Sequence, residues 1–196
     1  MKKIVILSLL TVVLQSCVVF QNIDNYESYL LAGFGKTTIY NPDGTNSYVD
    51  PVGGQVGIES KLFKLSEASW LTTGLNVTFQ GSDYVDPEVS GTVKLTYLNM
   101  PFLYTNSLSK KFYAEVGLQP GFLLAAKDKY NGRSDNYRDY ISKFEVCLPV
   151  GVGYRLSDLF TLGVRGTYGL TNINSDGIGN DHNLLVVGMV RYNIHW

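Results

Sequence analysis

The chain has 196 residues, is rich in Tyr (14), Phe (9) and Gly (20), and carries a formal charge of −1 with two cysteines and two histidines. That length supports one domain with a real core. The weak charge excludes a strongly basic nucleic-acid binder, and the few Cys and His exclude a zinc-type or multi-disulfide framework.

Taken in chain order, the first element is "MKK" followed by the apolar run "IVILSLLTVVL". A short basic stretch before an apolar core too short to span a bilayer predicts a cleaved signal peptide over 1–17. Removing Lys2 and Lys3 would leave a charge of −3. Leu14, Ser16 and Cys17 fit a lipoprotein box, which Gln15 fits poorly. Two outcomes stay open: acylation of Cys17, or ordinary cleavage nearby. A disulfide between Cys17 and Cys147 is not expected, because Cys17 lies in the leader. Residues 18–27 read as a short linker before a single domain over 28–196.

From residue 28 onward the apolar period is two. Eight strands are expected, at roughly 28–39, 52–64, 69–80, 91–104, 111–126, 140–156, 159–172 and 184–196. In the second, Val56, Ile58, Ser60 and Leu62 oppose Gln55, Gly57, Glu59 and Lys61. In the third, Leu71, Leu75, Val77 and Phe79 oppose Thr72, Gly74, Asn76 and Thr78. In the fifth, Phe112, Ala114, Val116 and Leu118 oppose Tyr113, Glu115, Gly117 and Gln119. In the last, Trp196, Ile194, Tyr192 and Val190 oppose His195, Asn193, Arg191 and Met189. No helix is expected after the leader. Pro101, Pro120 and Pro149 fall inside proposed strands, where bulges or strand portions outside a bilayer are expected.

The connections alternate too. "KLSEAS", "TNSLSK" and "SD" are short, whereas "YNPDGTNSYVD", "GSDYVDPEVSG", "KDKYNGRSDNYRD" and "NINSDGIGNDHN" are long and polar. Short turns at one end and long loops at the other predict an all-β, eight-stranded, antiparallel up-and-down transmembrane β-barrel in a bacterial outer membrane, with both termini on the periplasmic side. A soluble barrel has the same period with its faces reversed. Glycines on the polar face, aromatics near strand ends (Tyr40, Tyr84, Tyr104, Phe112, Tyr140, Tyr154, Phe160, Trp196) and the export signal favour the membrane barrel. The last strand must then pair with the first, because an open edge in lipid leaves unpaired backbone groups.

"YLNMPFLYTNSLSKKFYAEVGLQPGFLLAAK" (97–127), "LPVGVGYRL" (148–156) and "LGVRGTYGLTNI" (162–173) resemble the outer-membrane β-barrel family of Bacteroidota often labelled porin family proteins, small barrels of the OmpX-like kind. The chain departs from that pattern at Asn99 before Met100-Pro101, and in the spacing of Gly117 and Pro120. The resemblance implies the architecture and says little of activity. It implies contact with outer-membrane lipid, lipopolysaccharide, the barrel-insertion machinery and other outer-membrane proteins. It also implies that Tyr192, Ile194 and Trp196 form the C-terminal assembly signal. Some relatives serve type IX-like export complexes, which gives the alternative role of an accessory component.

Catalysis by a lipid-modifying barrel needs a base near a nucleophile. His182, with Asp181, Ser175 and Asp176 nearby, is the one grouping of that kind, and a solvated loop histidine is the plainer expectation. Asp43, Asp83, Asp86, Glu88, Asp176 and Asp181 lack the spacing of a calcium loop and read as solubilising. No enzyme activity, cofactor, metal or nucleic-acid partner is expected. The inward face would carry Glu59, Lys61, Glu115, Glu145, Arg155, Arg165 and Arg191. Counted up from the short-turn end, Arg165 lies five residues above Phe160, Arg191 five above Trp196, Glu59 five above Lys64 and Glu115 three above Phe112. These four are therefore expected to meet in the lumen and plug it. The function expected is that of a small, non-conducting barrel with a structural or interaction role.

Overall fold

The computed structural model describes residues 27–42, 48–49, 51–85, 90–130, 132–175 and 179–194. The leader 1–17, Cys17, the linker to residue 26, Asp43, Asp86, Glu88, Asn131, Asp176, His195 and Trp196 lie outside those residues.

The strands are β1 (Ser28–Tyr40), β2 (Tyr48–Val49), β3 (Val52–Ser66), β4 (Ser69–Val85), β5 (Ser90–Asn99), β6 (Phe102–Ser107), β7 (Phe112–Tyr130), β8 (Arg133–Asn136), β9 (Phe144–Arg155), β10 (Phe160–Gly169) and β11 (His182–Ile194). All pair antiparallel with their neighbours. β5 and β6 form one stave, and β2 and β8 extend the wall at the long-loop rim, so the ring has 8 strands. It closes between β1 and β11, from Ser28 opposite Ile194 to Tyr40 opposite His182. Closure gives every stave two partners, which a bilayer requires.

Which face is inside is decided by exposure. Phe34 is 77% exposed and Phe122 56%, whereas Glu59 and Arg165 are 0%. An apolar exterior around a charged interior belongs to a barrel in lipid.

Two of the short turns are wired alike. "LSKKF" (108–112) and "LSDLF" (156–160) each return the first residue's N–H to the final phenylalanine's carbonyl, Leu108 to Phe112 and Leu156 to Phe160, both at 2.9 Å. In each, the serine hydroxyl accepts the two N–H groups that follow: Ser109 from Lys111 and Phe112, Ser157 from Leu159 and Phe160. Serine satisfies a tight turn's spare donors in this way.

The prolines behave differently from one another. Pro101 has no N–H and splits the fourth stave, yet the register is the same on both sides, with Asn99 opposite Gly121 and Phe102 opposite Leu118. Met100 N–H reaches the Pro120 carbonyl at 2.9 Å and holds the break closed. β7 and β9 run through Pro120 and Pro149, and pairing lapses only between Val116–Val150 and Gln119–Cys147. The expected bulges lie elsewhere. One sits at Leu62, so Phe63 rather than Leu62 continues the outward row opposite Leu71. Another falls at Leu124.

The lumen is layered. Nearest the short turns is a charged layer, then an amide layer, then an apolar cap of Ile39, Val93, Leu95, Tyr97, Leu123, Ala126, Ile141 and Ile173. The interior is therefore not polar throughout. Tyr84, expected among the lipid-facing aromatics, packs against this cap, and its hydroxyl donates to Asp128 at 3.1 Å.

Candidate functional site: a charge-locked lumen

The charged layer is built by four staves. β3 supplies Glu59, β7 Glu115, β10 Arg165 and β11 Arg191, all on the inward side of the pleat. Arg165 Nη1 donates to Glu59 Oε1 at 2.7 Å and Nη2 to Oε2 at 3.0 Å, a two-bond clasp. Its Nε donates to Glu115 Oε1 at 2.8 Å. Arg191 Nη2 donates to Glu59 Oε2 at 2.9 Å and Glu115 Oε2 at 2.7 Å. Each carboxylate thus serves both guanidinium groups, and the ring of two acids and two bases is electrically neutral. Planar guanidinium and carboxylate groups suit this geometry, and low dielectric strengthens each bond.

Neighbours take up part of the remaining hydrogen-bonding capacity, while Arg191 Nε has no partner among the described residues. Asn76 Nδ2 donates to Glu59 Oε1 at 2.9 Å, and Arg191 Nη1 donates to the Tyr113 hydroxyl. Two glycines make room: a Cβ at Gly151 would lie 2.7 Å from Glu115 Oε1, and one at Gly153 would lie 2.1 Å from the Tyr113 ring. Asn76 and Tyr113 lie on the inward row of their strands; their partnership with the charges depends on stagger between staves.

The next layer holds Glu145, fully buried. It takes hydrogen bonds from Asn183 Nδ2 at 2.7 Å and Gln80 Nε2 at 3.3 Å. No cation pairs with it among the described residues.

At the short-turn mouth, Lys61 pairs with Glu27 at 2.5 Å and lies 4.1 Å over the Trp70 ring. A cavity of about 50 Å³ remains there, between Lys61, Trp70, Tyr113 and Arg191. Glu27 precedes the first strand. Burial pushes its carboxyl up, but hydrogen bonds from Lys61 and Tyr29 and the Lys61 charge outweigh this and hold it below the usual carboxylate range. Arg155, expected inside the lumen, is exposed at this rim and donates to the Lys110 carbonyl at 3.3 Å.

The His182 grouping is not a solvated loop. His182 opens β11 and is 9% exposed. Its Nδ1 lies 2.9 Å from the Gly169 carbonyl, its Nε2 3.0 Å from Asn180 Oδ1, and its ring stacks on Tyr168 at 5.6 Å. Asp181, expected to be solvated, is buried and accepts from Asn174 at 2.9 Å. The Ser175 hydroxyl donates to the Asp139 carbonyl at 2.7 Å. Both ring nitrogens are engaged by other groups, so among the described residues no nucleophile is poised on this base. Among the described residues, no three His, Cys, Asp or Glu side chains gather as metal ligands.

Tyr192 and Ile194 lie in the closing strand. Tyr192 faces outward, 41% exposed, with its ring 5.3 Å from Phe160.

A closed ring of eight staves with an apolar exterior and a charged, filled lumen defines a small outer-membrane β-barrel. The chain belongs to the outer membrane protein beta-barrel domain family, whose model matches residues 25–175, and its place is the bacterial outer membrane. Among solved structures it is similar to Ail, the attachment invasion locus protein of Yersinia pestis, at 14% identity and a TM-score of 0.54, covering 87% of this chain and 100% of that one. It is also similar to Neisserial surface protein A, at 16% identity and a TM-score of 0.54, covering 86% of this chain and 96% of that one. No curated protein sequence matches the chain.

Proposed function

We propose that the protein is a non-conducting barrel with a structural or interaction role, which works through its long loops or outer wall. The observation that carries this is Arg165. It is fully buried and bonded to two carboxylates on staves across the lumen, so the axis is crossed by charge-assisted bonds. Eight strands leave an interior that side chains can fill. Above the lock, the apolar cap adds a second closure. An ion entering would meet an electrically neutral ring whose carboxylates are already bonded to both guanidinium groups. A catalytic role is disfavoured by the occupied nitrogens of His182. Tyr192, Ile194 and Trp196 would serve recognition by the insertion machinery during assembly.

Proteoliposomes test this reading. Vesicles containing the purified protein should swell in isotonic arabinose no faster than protein-free vesicles. Swelling that scales with protein content would overturn it.

A further inference from the structure

The outer wall of β5 and β7 changes character towards the long-loop rim. Lower down it is apolar, with Leu118, Phe122 and Leu124 outward. Above Leu124 it is basic. The bulge at Leu124 resets the pleat so that Lys127 and Lys129 face out on β7. On β5, Lys94 faces out directly opposite Lys127. Like charges at directly opposed cross-strand positions repel. None of the three lysines has an ion pair among the described residues.

Beside this strip lies a recess of about 400 Å³. It exists because β8 pairs with β7 only from Lys127 to Tyr130, and β9 takes over only at Phe122. Leu124 and Ala125 form its floor, with Lys127, Ser134, Asn136 and Arg138 around it. Arg138 is anchored at the edge through Nη2 to the Leu123 carbonyl at 3.3 Å. Asp135 borders the recess, but its carboxylate accepts the Tyr130 hydroxyl at 2.8 Å.

We propose that this recess is a binding site for the phosphorylated headgroup of an outer-leaflet glycolipid. Lys94, Lys127 and Arg138 would surround the phosphate, and the acyl chains would run down over Leu124 and Phe122. A phosphate among these cations also removes the repulsion between Lys94 and Lys127. The amphiphilic order of the wall, basic above and apolar below, selects a lipid over a free anion. The site does not depend on whether the lumen conducts.

The test uses the full-length protein in detergent micelles, titrated with bis-phosphorylated lipid A and read by native mass spectrometry. Lys127→Gln combined with Arg138→Gln should weaken lipid A retention by about tenfold. Lys110→Gln combined with Lys111→Gln, at the opposite rim, should leave it unchanged. Dephosphorylated lipid A should bind as weakly to the wild type as the phosphorylated form binds to the recess variant. Inorganic phosphate at millimolar concentration should not compete. Circular dichroism confirms that each variant is folded. If the recess variant should misfold, Lys94→Gln alone, on the neighbouring strand, carries the same expectation with a smaller loss. Equal retention by the folded recess variant, or equal binding of the dephosphorylated lipid, would overturn the proposal. Effective competition by inorganic phosphate would make the recess a free-anion site and overturn the lipid assignment.

Discussion

Replacing Arg165 by Met probes the lock directly. Methionine keeps much of the side-chain length but removes the bonds to Glu59 and Glu115, whose distances run from 2.7 to 3.0 Å. What remains is two fully or nearly buried carboxylates facing one guanidinium, Arg191. Removing one partner of a buried ion pair costs roughly 3–5 kcal/mol, because the charge left behind is neither solvated nor paired. At about 2–4 °C per kcal/mol for a domain of this size, the midpoint should fall by roughly 6–20 °C. The assay is thermal unfolding of the purified barrel in micelles, followed by gel mobility and circular dichroism. The exposed Arg133→Met should shift it by less than about 0.5 kcal/mol. Adding Glu59→Gln to Arg165→Met removes the opposite charge as well. It should recover part of the loss, giving a coupling energy above about 1 kcal/mol. If Arg165→Met is no more harmful than Arg133→Met, or the double variant equals the sum of its parts, the four charges do not act as one unit.

Three further outcomes are expected. Tyr192→Asp puts a charge on the outward face of the closing strand, at a cost of up to a few kcal/mol depending on depth; outer-membrane fractions should hold less folded protein, and normal levels would refute the outward placement. Glu27 has a lowered pKa in the folded protein, so its bond to Lys61 stabilises above the usual carboxylate range and is lost as pH falls through the folded value. The midpoint difference between wild type and Glu27→Gln should therefore be largest near neutrality and vanish in acid, and a difference that grows in acid would contradict this. Cysteines placed at Ser134 or Ser175 should react with an impermeant maleimide on intact cells, whereas cysteines at Ser66 or Ser109 should not; the native Cys147 is buried and gives little background. The reverse pattern would invert the topology.

The four charges were legible because the staves end at one rim, so counting upward from each end gives comparable heights. Parity then places Glu59, Glu115, Arg165 and Arg191 inward. The apolar cap was not legible by the same means. On β5, Val93, Leu95 and Tyr97 share parity with Asn99, so hydrophobicity alone misreads that face while the register does not. Bulges hide for a similar reason. Nothing in "ESKLFKL" marks Leu62 as the extra residue; its role follows from the match of β3 to β4 across the sheet. His182 reads as loop because Asp, Asn and Gly precede it, yet Gly169, Asn180 and Tyr168 surround it in three dimensions. In each case pairing between distant staves outweighs the local pattern.

The central claim is that side chains seal the lumen, and single-channel recording in a planar bilayer tests it most directly. A monodisperse wild-type preparation should give no discrete openings across the usual voltage range. A variant that removes the charged ring as a neutral set, with Glu59→Ala, Glu115→Ala, Arg165→Ala and Arg191→Ala together, should insert and still be held closed by the apolar cap. Adding Leu95→Ala and Tyr97→Ala should open it. Reproducible steps of uniform size from the wild type would contradict the account and assign the protein a channel.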